Sequence, residues 1–150
     1  MSQLKTAKQC AKTMWAGDKA SKALGIKIEI REAGAATAHM LVREDMINGF
    51  DVCHGGLIFT LADTAFAFAC NAYDRVTFAA SASIEFVRPA QLGDRLSATA
   101  REEHRGSRSG YYAVKVENDL GEVLALFRGR AVSRDQPVID HKNDTSNIEK

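Results

Sequence analysis

Asp63 stands in the most apolar stretch of the chain, among Leu61, Ala62, Thr64 and Ala65, and is the only ionisable carboxylate between Gly55 and Tyr73. Taking an unpaired carboxylate out of water costs several kcal/mol, so its placement needs a reason. One reason is chemical: an aspartate there acts as a nucleophile or as a general base toward water. The other is architectural: the residue lies at a surface gap of a helix or caps nearby backbone. The same stretch opens with His54-Gly55-Gly56. The first N–H groups of a helix lack intrahelical partners and lie at the positive end of the macrodipole, which favours a developing oxyanion. Glycines leave those amides open to a ligand carbonyl, although Gly-Gly before a helix is more often a plain turn.

Spacing links the two features. Asp63 follows Gly55 by eight residues, about 12 Å of helical rise, so a single carbonyl group cannot touch both in one chain. If both act on one group, a second copy must bring its Asp63 beside the first copy's Gly55. That predicts an obligate homodimer with two equivalent composite sites. Cys53 directly precedes His54, but neighbouring side chains of an extended segment point to opposite sides, so a thiol–imidazole pair is not expected and Cys53 reads as buried filler.

The elements that must position these residues are legible in the periodicity. From Gln3 to about Lys22, Leu4, Ala7, Ala11, Met14 and Trp15 recur at helical spacing among lysines, which predicts an amphipathic helix on the outside of the body. Leu24, Ile26, Ile28 and Ile30 alternate with polar residues, and a second alternating run covers 36–43 after Gly34, which suggests paired strands. Asn48, Gly49 and Asp51 mark a loop between Met46 and Cys53. The run from His54 to Tyr73 is apolar on every side and predicts a helix buried on every side. Strand-like runs follow at 76–87, 95–104, 111–117 and 122–132, with Asn118-Asp119-Leu120-Gly121 as a hairpin turn. The result is an α+β domain over 1–134 whose single sheet curls around the central helix. The polar segment 135–150 has no periodicity and is expected to be a flexible tail.

Asn48-Gly49-Phe50-Asp51-Val52-Cys53-His54-Gly55-Gly56, followed by Leu61-Ala62-Asp63-Thr64-Ala65, resembles the hotdog-fold thioesterases of the phenylacetate-degradation type, PaaI. The likeness runs from about Leu24 to Val132 and includes Phe86-Val87-Arg88-Pro89-Ala90 and Gly93-Asp94. It implies a curled antiparallel sheet around one long helix, and hydrolysis of acyl-CoA thioesters, of phenylacetyl-CoA or a hydroxylated relative above all. It also implies a role for each matching residue. Gly55 would donate its N–H to the thioester oxygen, Asn48 would hydrogen-bond the carbonyl or the attacking water, and the second subunit's Asp63 would attack or activate water. Thr64 would help hold that water or simply be a helix-surface hydroxyl. His54 would act as a base or, as favoured here, shape the loop. Gly56, Ser81 and Ser83 would give the pantetheine arm room, and Arg88, Arg105 and Arg108 would meet the phosphates of coenzyme A. Phe59, Phe66, Phe68 and Tyr73 would offer aromatic surface or only core. The family further suggests a homotetramer built from dimers.

Composition narrows the rest. Twenty Lys and Arg against nineteen Asp and Glu give a net charge of +1, with no general pull toward nucleic acid or anionic membranes. The three cysteines, Cys10, Cys53 and Cys70, fit neither a zinc cluster nor a disulfide framework, and suggest reduced thiols in a cytoplasm. No metal or organic cofactor is expected beyond the coenzyme A of the substrate. Two other readings remain open: a hotdog hydratase or dehydratase, in which a histidine and an acid share proton transfer, and a non-catalytic acyl-CoA binding module.

Overall fold

Alternation and helical spacing become, in the computed structural model, which describes residues 2–142, two long helices, one short helix and six strands. In chain order these are α1 (Gln3–Gly17), α2 (Lys19–Ala23), β1 (Lys27–Glu32), β2 (Ala35–Leu41), a 3-10 turn (Glu44–Met46), α3 (Gly55–Cys70), β3 (Thr77–Phe86), β4 (Arg95–Arg105), β5 (Ser109–Glu117) and β6 (Val123–Ser133). The strands form one antiparallel sheet in the order β1-β2-β4-β5-β6-β3. It curls around α3, the hotdog arrangement that the resemblance implied.

Strand alternation decides which residues meet α3. Along β6, Leu124, Phe127, Gly129 and Ala131 are buried while Leu126 and Arg128 are exposed. Gly129 is glycine for a packing reason: a Cβ there would stand 2.8 Å from the Phe66 ring. Phe66 in turn tilts against Tyr112 at 5.4 Å and Phe127 at 5.7 Å between centroids, beside the fully enclosed Leu61, Ala62, Ala65 and Ala69.

Four expectations need adjusting. The N-terminal helix breaks at Asp18, which ends α1 and caps α2: its carboxylate accepts from the Ser21 N–H at 2.9 Å and the Ser21 hydroxyl at 2.7 Å. An N-cap aspartate after Gly17 outcompetes continuation of the helix. β1 begins at Lys27 rather than Leu24, because Gly25 takes a positive φ of 69° and turns the chain. α3 is not buried all round: Gly56 is exposed, and Thr60, Asp63 and Ala67 form a half-buried stripe along the same face. Finally, residues 135–142 of the segment expected to be flexible lie against the body. The Val76 N–H donates to the Gln136 carbonyl at 2.8 Å, and Asp74 accepts from the Ile139 N–H at 2.8 Å and meets His141 at 2.6 Å. Residues 143–150 lie outside the described residues.

β3 is the structural anomaly. Among the described residues it pairs with no strand but β6; its other edge is met at Thr77 by the Asn71 side chain, and every residue from Phe78 to Phe86 except Ile84 is exposed. No helix among the described residues is long and apolar enough to cross a membrane.

Candidate active site

The loop before α3 is a closed turn built on Asn48. Its Oδ1 accepts from the Phe50 N–H at 2.9 Å and the Val52 N–H at 3.3 Å, and its own N–H donates to the Val52 carbonyl at 2.8 Å. Asp51 closes the turn in the left-handed region at φ 62°, and Ile47 bridges to Cys53. Because both N–H bonds fall on Oδ1, the side-chain NH₂ of Asn48 has no partner among the described residues and is a donor held in place by the turn.

His54 caps α3. Its Nδ1 accepts from the Gly56 N–H at 3.0 Å, and its carbonyl accepts from Leu57 at 2.9 Å and Ile58 at 3.4 Å. These bonds satisfy three of the first four amides of the helix. The fourth, the Gly55 N–H, has no acceptor among the described residues. It is thus a lone donor at the positive end of a sixteen-residue helix. Through Nδ1, His54 thus holds the start of the helix. Both glycines have packing reasons as well: a Cβ on Gly55 would stand 3.2 Å from Cζ of Phe86, and one on Gly56 would stand 3.0 Å from Nδ1 of His54. Phe86, on β3 and 56% exposed, was not singled out from sequence; only the fold brings its ring over the start of α3.

Asp63 lies two turns along α3 on the half-buried stripe. It has no hydrogen-bond or ion-pair partner among the described residues, and burial pushes its carboxyl above the ordinary carboxylate value. An unpaired carboxylate with a raised proton affinity suits a proton acceptor poised nearer neutrality. Thr64 is buried and its hydroxyl donates to the Thr60 carbonyl at 2.7 Å, so its hydroxyl proton is already spent. Cys53 is buried, with its thiol pushed up by desolvation, and Cys70 is pushed up to about 12 by the same cause. Neither is an activated thiolate.

Of the residues assigned to coenzyme A, Gly56 lies at the start of α3 and the others fall elsewhere. Ser81 and Ser83 lie opposite Arg130 and Arg128 on the outer face of the sheet, where with Glu103 and Tyr111 they line a cavity of about 550 Å³. Arg88 pairs with Glu122, Arg105 lies 3.7 Å from Glu102 and 3.6 Å from the Tyr73 ring, and Arg108 lies 3.9 Å from Asp135. Arg128 pairs with Glu103, whereas Arg130 has no acidic partner among the described residues. Of the four aromatics, Phe66 and Phe68 are core, Phe59 stacks edge-on to Phe127 at 5.4 Å, and Tyr73 donates to Glu102 at 2.9 Å. No cluster of three or more His, Cys, Asp or Glu able to hold a metal occurs among the described residues.

A curled sheet around one helix, a free amide at the helix start and an unpaired acid farther along it are the features of a hotdog thioesterase. The chain belongs to the thioesterase superfamily, whose family model matches residues 50–125. It is 43% identical over 123 residues to the acyl-coenzyme A thioesterase PaaI of Escherichia coli K12, covering 82% of this chain and 88% of that one. The E. coli PaaI structure superposes with a TM-score of 0.89 at 40% identity, over 91% of this chain and 99% of that chain. A mutant of the phenylacetic acid degradation protein PaaI from Thermus thermophilus gives a TM-score of 0.74 at 34% identity, over 77% and 98%. A putative esterase of Archaeoglobus fulgidus is 35% identical over 77% of this chain and 75% of its own length.

Proposed function

We propose that this thioesterase hydrolyses acyl-CoA, with phenylacetyl-CoA or a hydroxylated aryl-acetyl-CoA as its substrate class, in two composite sites of a homodimer. The observation that carries the reading is the pairing on α3 of an unpartnered Gly55 N–H with an unpaired, half-buried Asp63 about 12 Å farther along the helix. Each is half of a site. A two-fold axis that sets the α3 stripes of two subunits side by side, in opposite directions, makes each half meet its complement. The outer edge of β3 supports the same assembly, since a long exposed edge strand is a template for pairing with a second copy.

In that site the thioester oxygen takes hydrogen bonds from the Gly55 N–H and from the Asn48 side-chain NH₂. The second subunit's Asp63 either accepts a proton from water as it attacks the carbonyl carbon or attacks that carbon itself. The C–S bond breaks, and water supplies the oxygen of the acid and the proton of the coenzyme A thiol. Thr64 offers lone pairs to the water. Ser81 and Ser83 leave the pantetheine arm room, and Arg130 meets a phosphate without giving up an internal partner, which Arg88, Arg105 and Arg108 would each have to do. A hydratase reading is disfavoured because a neutral His54 that accepts the Gly56 N–H at Nδ1 carries its proton on Nε2 and is a donor there rather than a base. Dimers are proposed to pair into a tetramer.

The test is thiol release from a panel of aryl-acetyl and aliphatic acyl-CoAs, run beside a mass measurement in solution. Release fastest from aryl-acetyl thioesters by an oligomer is expected. No release from any thioester, or full activity in a monomer, overturns the reading.

A further inference from the structure

Away from α3's free stripe, a groove of about 450 Å³ runs between α1 and β1. Its walls are Ala11 and Trp15 from α1, Ile28 and Ile30 from β1, and Phe68 from α3, whose ring lies 6.4 Å from that of Trp15. Three lysines stand at its rim: Lys8 and Lys12, one turn apart on α1, and Lys27 from β1. All three are exposed, and none has an acidic partner among the described residues. α1 itself carries Lys5, Lys8 and Lys12 and no acidic residue. Glu29, the nearest acid on β1, is already engaged by Arg31 at 2.7 Å and His39 at 3.3 Å.

An apolar slot with unneutralised cations along one edge fits an amphiphile with an anionic head. Lysines without an arginine fork favour a single small anionic head over the bidentate recognition of phosphate. A second copy of the same face is a poor occupant, because two-fold pairing would set lysine rim against lysine rim. We propose that this groove binds an amphipathic carboxylate, its chain along Trp15, Ile28, Ile30 and Phe68 and its head among Lys8, Lys12 and Lys27. The link to function rests on the proposed hydrolysis: the acid it releases belongs to this chemical class, so the groove is a place where product is sensed apart from the reaction site.

Trp15, the only tryptophan in the sequence, lies in the wall and reports occupancy directly. Intact protein is titrated with monomeric decanoate and, separately, with decyltrimethylammonium, following Trp15 emission, so binding is read without any thioester. The expected result is a saturable change with decanoate, little with the cationic amphiphile, and affinity lower by roughly tenfold in the Lys8→Glu/Lys12→Glu variant. Three results overturn the proposal: no response to decanoate, equal binding of the cationic amphiphile, or equal decanoate affinity in the variant. So does a fall in assembly mass caused by the two substitutions, which would make the groove a subunit contact.

Discussion

Replacing Gly55 with alanine tests whether this position is glycine for the substrate or for the fold. The new Cβ would lie 3.2 Å from Cζ and 3.3 Å from Cε1 of Phe86, against an ordinary carbon–carbon contact of about 3.5–4.0 Å. The ring must retreat by a few tenths of an ångström, and being 56% exposed it has room to swing. Alanine also gains up to about 1 kcal/mol of helix propensity over glycine, so the net change in stability is expected within about 1 kcal/mol of zero. Activity should respond far more. The methyl group and the displaced ring crowd the one unpartnered amide of α3, and loss of an oxyanion donor costs about 10²–10³ in kcat. The measurements are initial rates of thiol release for wild type, Gly55→Ala, Phe86→Ala and the double variant, with thermal melts to show that each is folded. If substrate access is the reason for glycine, the double variant stays as impaired as Gly55→Ala. Recovery of the rate in the double variant assigns the glycine to packing under Phe86 instead. A folded Gly55→Ala protein with an undiminished rate removes the Gly55 amide from the chemistry altogether.

Asn48→Asp keeps the Oδ1 that accepts from Phe50 and Val52 but exchanges the free NH₂ for an anion; the melting temperature should hold while kcat/KM falls by about 10²–10³. Asp63→Asn should lower kcat by about 10²–10⁴, and the wild-type rate should fall as pH drops through the raised pKa of Asp63, the acid losing its function as a base when protonated. Because burial raises the folded pKa, the stabilising contribution of Asp63 is complete below its unfolded value and is lost as pH rises through the folded one. The melting temperature of Asp63→Asn should therefore overtake that of wild type on going from acid to neutral pH, and an identical difference at both ends would refute the burial argument. At Asp74, burial opposes the charge, but the Ile139 N–H and His141 outweigh it and hold the carboxyl below its ordinary value. Its stabilising effect is thus present above the unfolded pKa and fades as pH falls through the folded one. Asp74→Ala, at a positive φ of 56°, should cost about 1–2 kcal/mol and expose residues 137–142 to limited proteolysis.

Local features are legible in the residues alone. A two-residue alternation marks each strand because the pleat sends successive side chains to opposite faces, and Asp63 is conspicuous because its neighbours are apolar whatever the fold. The loop at Asn48 and the hairpin at Asn118, whose Oδ1 accepts from Leu120 and Glu122, are likewise written in residues that hydrogen-bond their own backbone. The break at Asp18 is equally local, yet the apolar spacing of α1 masks its N-cap signal. Long-range packing, by contrast, sets β3 beside β6 at the edge of the sheet, lays Phe86 over Gly55, leaves one stripe of α3 uncovered and docks residues 135–142 near Asp74. Those facts depend on contacts between residues far apart in the chain. No local period encodes which strand comes to rest at the edge or which ring reaches a given helix end, because each is settled by how the whole core packs.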